Sequence, residues 1–114
     1  MKVQELDVFK LAHKLALLVY RVTERFPASE RFGVVSQMRR AAASVPSNLM
    51  EGAHRIGTKE FKYFVSIARG SCGEMKYFLM LAQGLDYLNR KDFDELLDGY
   101  ERIAAMLTKL HAAL

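Results

Sequence analysis

Apolar side chains recur every three or four positions along almost the whole chain, the spacing of one face of an α-helix. The first run comprises Val8, Leu11, Ala12, Leu15, Leu18, Val19, Val22 and Phe26. Pro27 disfavours helical geometry at the residue before it, so a first helix is expected to end near Phe26. After a short connection at Ala28-Ser29-Glu30, the spacing of Phe32, Val35, Met38 and Ala42 predicts a second helix. Pro46 lacks an amide proton and crowds the carbonyl four residues back, so a kink or break is expected there. Leu49, Met50 and Ala53 continue the apolar face as far as Gly57, and Thr58 offers a side-chain oxygen to cap the next helix.

The third run extends without proline from Lys59 to Leu88 and carries two apolar stripes. Phe61, Val65, Ala68, Cys72, Met75, Leu79, Ala82 and Leu85 form the first. Tyr63, Ile67, Gly70, Tyr77, Leu81, Gly84 and Leu88 form the second, leaving more apolar surface than one small bundle can cover. Association with further copies is therefore expected. Asn89 can cap a fourth helix, with Asp92 and Asp94 favourably placed against its dipole, and Phe93, Leu96, Leu97, Tyr100, Ile103, Leu107, Leu110 and Leu114 carry its apolar face to the end. Four helical segments with short links predict an all-α protein: an antiparallel up-down four-helix bundle in one domain, residues 1–114.

Composition narrows the function classes. The chain has 114 residues, of which 51% are hydrophobic, enough for a core of its own. Its single cysteine, Cys72, permits no intrachain disulfide, and the amino-terminal stretch lacks the apolar core of a signal peptide. A cytoplasmic location is expected. No apolar run approaches the roughly 20 residues of a membrane span, so no membrane partner is expected. A formal net charge of +4 favours anionic partners.

One block stands out: Phe32-Gly33-Val34-Val35-Ser36-Gln37-Met38-Arg39-Arg40-Ala41-Ala42-Ala43-Ser44-Val45-Pro46-Ser47-Asn48-Leu49-Met50-Glu51-Gly52. With Phe26-Pro27, Glu60-Phe61 and Ala68-Arg69-Gly70-Ser71, it resembles the four-helix-bundle family encoded in 23S rRNA intervening sequences. That family includes the accessory variability proteins of diversity-generating retroelements. The resemblance implies a homopentamer and, by analogy with the retroelement members, a basic barrel that binds nucleic acid and a reverse transcriptase.

Charge is concentrated where such a surface would need it. Residues 31–69 hold Arg31, Arg39, Arg40, Arg55, Lys59, Lys62 and Arg69 against only Glu51 and Glu60, a local net of +5 in a chain of +4. Such a segment can neutralise phosphates irrespective of base sequence. Arg39 or Arg40, Arg55, Lys59 and Lys62 are the candidate nucleic-acid contacts. Arg39 and Arg40 point about 100° apart on a helix, so one of them can serve structure instead. Glu51, Arg69 and Glu74 lie among apolar stripes, where a charge needs a partner to offset desolvation, and are assigned structural roles.

The remaining chemistry is sparse. Glu51 and His54 have the Glu-x-x-His spacing of di-iron bundles, but such sites need a second pair and two more glutamates. Neither His13 nor His111 has an acid three residues before it. No phosphate-cradling glycine loop or nucleophile elbow is present, so no enzyme activity, cofactor or metal is expected. Gly70 and Gly73 are expected at close helix approaches, across the bundle or between subunits. Tyr63, Tyr77, Tyr87 and Phe64 could stack on bases, although core or interface packing is the stronger expectation for such aromatics. The leading expectation is a non-enzymatic basic oligomer binding RNA or DNA through phosphates. The alternative is a scaffold that docks a partner such as a reverse transcriptase without strong affinity for nucleic acid.

Overall fold

The computed structural model describes residues 2–114. It contains α1 (Asp7–Thr23), α2 (Val34–Ala53), α3 (Thr58–Gly84) and α4 (Arg90–Ala113), with short 3₁₀ turns at Val3–Glu5 and Ala28–Glu30. Each helix packs against its neighbours in the chain, and α1 closes against α4, so α1 and α3 occupy opposite corners. Cross-helix pairs run in opposite directions on three of these four sides, which fixes the fourth. Arg40 meets Glu74 while Ser44 meets Ser71; Arg69 meets Thr108 while Lys76 meets Glu101; Arg25 meets Asp92 while Leu15 packs on Gly99. The expected up-down order results, in a body of 43 × 24 × 20 Å.

Helix ends differ from expectation where local hydrogen bonding intervenes. The amides of Glu24, Arg25 and Phe26 each bond three residues back, tightening the chain out of α-geometry before Pro27. Phe32, expected on a buried face, precedes α2 and is 87% exposed. Thr58 lies within α3 and makes no side-chain cap; Gly57, at φ 99°, occupies the capping position. The third helix stops at Gly84 because Asp86 adopts a left-handed conformation (φ 63°) and the Tyr87 amide bonds back to the Ala82 carbonyl. That turn exposes Leu85 and buries Leu88, reversing their expected stripes. Asn89 caps α4 as expected, accepting a hydrogen bond of 2.7 Å from the Asp92 amide.

At Pro46 a break is excluded: α2 runs unbroken from Val34 to Ala53. Proline within a helix costs about 3 kcal/mol. Val35, Met38, Val45 and Leu49 are all buried on the face that spans it, and burying each such side chain is worth about 1.5–3 kcal/mol. Packing on both sides of the proline therefore outweighs the missing hydrogen bond.

The core joins Met38, Leu49, Met75, Leu79, Leu96, Tyr100, Ile103 and Leu107, all fully buried. Close helix approaches occur at Gly52, where an added Cβ would sit 2.7 Å from Phe64 Cβ, and at Gly99 against Leu15. Gly70 and Gly73 instead face open space, so they are not close-approach positions within the bundle, contrary to the first of their two expected roles. Both lie on the outer side of α3, turned away from the core.

Two acidic protons are locked inside. Burial pushes the Cys72 thiol up to about 12, against an opposing pull from Arg69 and Lys76. Burial likewise raises Tyr100, whose hydroxyl has no hydrogen-bond partner among the described residues. Both raised values favour the neutral form in the folded state, so their contribution is complete below the thiol's ordinary 9.0 and is lost as pH climbs toward about 12. Melting temperature is expected to hold steady to about pH 8 and to fall by about pH 11. A flat thermal-melt profile across that range would contradict the burial of these two protons.

Candidate nucleic-acid interface

The five candidate contacts divide between α2, α3 and the loop joining them. Arg39, on α2, turns toward α1. Its Nε donates to Thr23 Oγ1 at 2.9 Å, and one Nη donates to the Tyr20 carbonyl at 3.1 Å and to Glu24 at 3.0 Å. The guanidinium also lies 4.8 Å from the Tyr20 ring centroid. Of the two adjacent arginines, Arg39 is thus the structural one.

Arg40, one position on, turns to the other side and meets Glu74 of α3 at 2.8 Å. Arg55 pairs with Glu51 at 2.7 Å and lies 5.2 Å from the centre of the Phe64 ring. The Glu51 hydrogen bond pushes the Arg55 pKa further upward. Glu51 and Glu74 each have a cationic partner. The same pair uses up the acid of the Glu-x-x-His spacing, and His54 instead sets Nδ1 2.9 Å from the Met50 carbonyl.

Lys59, Lys62 and Arg69 are different. All three belong to the first half of α3, and none has a carboxylate within ion-pair distance among the described residues. Arg69, assigned a structural role from sequence, is surface-exposed and bonds only the Thr108 hydroxyl, at 2.8 Å. The five candidates consequently do not form one uniform free patch. Arg39 joins the scaffold, Arg40 and Arg55 carry acids beside them, and of the five only Lys59 and Lys62 of α3 are left without a carboxylate partner among the described residues.

Beside those cations runs the exposed part of the second expected stripe; of its other members, Leu81 packs against the core and Leu88 is buried in it. Tyr63, Gly70, Tyr77 and Gly84 repeat every seven residues, with Gly73 and Met80 three positions after Gly70 and Tyr77. Tyr63 is 63% exposed and Tyr77 59% exposed. This is the a/d spacing of a coiled-coil seam, in which small residues alternate with large ones. Tyr87 is not available for stacking on bases: it donates to Glu30 at 2.9 Å and packs on Phe26. Phe64 lies edge-on to Tyr63. A second apolar surface lies on the α1/α2 side of the bundle, a groove lined by Phe9, Leu17, Tyr20, Ala43 and Met50.

Among the described residues, no group of three or more His, Cys, Asp or Glu side chains is placed to hold a metal. No helix of these residues is long and apolar enough to cross a membrane. Fold and surface together define a class: a small antiparallel four-helix bundle with an unneutralised basic flank on its longest helix.

The chain belongs to the 23S rRNA-intervening sequence protein family, which it matches over residues 4–109. It is similar in fold to the crystal structure of a protein of unknown function from the S23 ribosomal protein family of Bacteroides thetaiotaomicron. The TM-score is 0.82 at 19% identity, covering 91% of this chain and 97% of the other. Among curated proteins none matches the chain.

Proposed function

We propose that this protein is a non-enzymatic basic homo-oligomer that binds RNA or DNA through phosphate contacts, with Lys59 and Lys62 as its principal contacts and Arg40 and Arg55 at the margin. The observation that carries this reading is the contrast in charge pairing: the arginines of α2 and its loop face carboxylates, whereas the lysines of early α3 do not. A free lysine exchanges condensed counterions for a phosphate without first breaking an ion pair.

Oligomerisation multiplies that flank. The α3 stripe and the α1/α2 groove are two different surfaces of the bundle, which suits head-to-tail contact and closure into a ring. The pentamer implied by the family resemblance is one such ring. Several modest basic flanks then engage one polyanion together, and avidity exceeds what one subunit supplies. In light scattering, wild type is expected at a multiple of 13.0 kDa. Tyr77→Glu, which places a charge in the seam, is expected to return the mass toward one subunit. A wild-type monomer at micromolar concentration would refute the assembly.

The binding test is fluorescence anisotropy across a salt series. Wild-type affinity is expected to fall linearly in log–log form, for RNA and DNA of any sequence alike. Lys59→Ala/Lys62→Ala should weaken binding and make the salt slope shallower by about one for each phosphate no longer neutralised. Circular dichroism verifies that the helices survive. Absent wild-type binding at low salt, or an unchanged slope in the folded variant, rejects this reading in favour of a scaffold that docks a protein partner such as a reverse transcriptase.

A further inference from the structure

The outer cleft between α3 and α4 is built around a single cation. Ser66 and Arg69 of α3 line it with Thr108 and His111 of α4, over an apolar floor of Val65 and Leu107, in a volume of about 240 Å³. Thr108 Oγ1 donates its proton to the Ala104 carbonyl at 3.0 Å and accepts from Arg69 Nε at 2.8 Å. That hydroxyl is therefore fixed in one orientation, and it fixes the guanidinium in turn. Both terminal Nη groups of Arg69 remain without a hydrogen-bond partner among the described residues. Farther along the same seam Glu101 of α4 is taken by Lys76 at 3.8 Å, not by Arg69.

We propose that this cleft is a phosphate site, in which the free guanidinium fork of Arg69 grips two oxygens and Ser66 and His111 supply further hydrogen bonds. A planar fork held from behind matches an oxyanion in two places at once, which a freely rotating lysine cannot do. Lys62, one turn before Ser66 on the same flank of α3, adds long-range attraction. Thr108 is a positioning residue: it acts only through the orientation it gives Arg69. The site rests on the reading that partners of this protein are anionic, and it names where one phosphate of such a partner is held. The phosphate comes either from a nucleic-acid backbone or from a terminal monoester.

Calorimetric titration of the full-length protein with inorganic phosphate at low ionic strength tests the site directly. Wild type is expected to bind saturably, and Arg69→Gln to weaken binding by about tenfold or more. Arg21→Gln, which removes the same charge from the exposed face of α1, should bind as wild type. Thr108→Val should lose affinity with the charge intact, and Thr108→Ser should restore it, a rescue that loss of packing alone would not give. A short oligonucleotide with and without a 5′-phosphate separates the sources: a gain confined to the phosphorylated end marks a terminal site, and equal Arg69-dependent binding of both marks the backbone. Phosphate binding without nucleic-acid binding would overturn the function proposed above and leave the cleft standing. No saturable phosphate binding, or equal loss in Arg69→Gln and Arg21→Gln, overturns the cleft.

Discussion

Gly52→Val is expected to destabilise the fold by about 3 kcal/mol, the upper end of the cost of forcing extra atoms into a packed contact. Gly52 is in the last turn of α2, buried against the first turns of α3. A Cβ there would lie 2.7 Å from Phe64 Cβ and 3.0 Å from Phe61 Cδ1. Phe64 Cβ is fixed to its backbone, so no rotamer change relieves the clash and the two helices must separate. The helix propensity gained by replacing glycine returns less than about 1 kcal/mol and does not offset this. In urea the midpoint should fall at unchanged m-value, the sign of lost stability in an otherwise similar fold. A midpoint within error of wild type would show that α2 and α3 are not in close contact at this point.

The second large effect separates two adjacent arginines. Arg39→Ala should cost about 2–3 kcal/mol, because it deletes charge-assisted hydrogen bonds to a buried threonine and a backbone carbonyl together with a cation–π contact. Thr23 is 2% exposed and would keep its bond to the Val19 carbonyl but lose the donor facing its lone pair. Arg40→Ala removes an ion pair whose side chains are 59% and 38% exposed, and such pairs contribute up to about 1 kcal/mol. Chemical denaturation of both variants measures the difference, and equal losses would contradict the assignment. Under conditions where both are folded, Arg39→Ala should bind nucleic acid as wild type does, since its charge is already committed to α1.

Much of the bundle was legible in the sequence because amphipathic periodicity records burial directly. Val65, Ala68, Cys72, Met75, Leu79 and Ala82 repeat at helical spacing, and all are buried. Asn89 announced the start of α4, since an amide oxygen there is in reach of the third amide beyond it. Part of the second stripe of α3 was legible as surface too: Tyr63 and Tyr77 are exposed, whereas Leu81 packs on the core and Leu88 is buried within it. Charge density was equally plain as a sum: the basic segment is a property of composition along the chain.

Tertiary structure decided what a one-dimensional pattern cannot carry. Asp86, a residue type not limited to turns, ends α3 only because its left-handed conformation lets Tyr87 bond back to Ala82. Glycine marks a close approach only where another helix comes near, which happens at Gly52 and Gly99 and not at Gly70 or Gly73. Ion pairing has the same origin. Arg39 and Arg40 are neighbours of equal charge, yet a turn of one residue aims one at Glu24 beside α1 and the other at Glu74 of α3. Arg69 finds a threonine where its counterparts find carboxylates, because Thr108, 39 positions away, is the residue the antiparallel register brings opposite it. The sequence determines how much charge and apolar surface each helix carries. Only the packed register determines which of those charges are neutralised, and therefore which remain free to meet a phosphate.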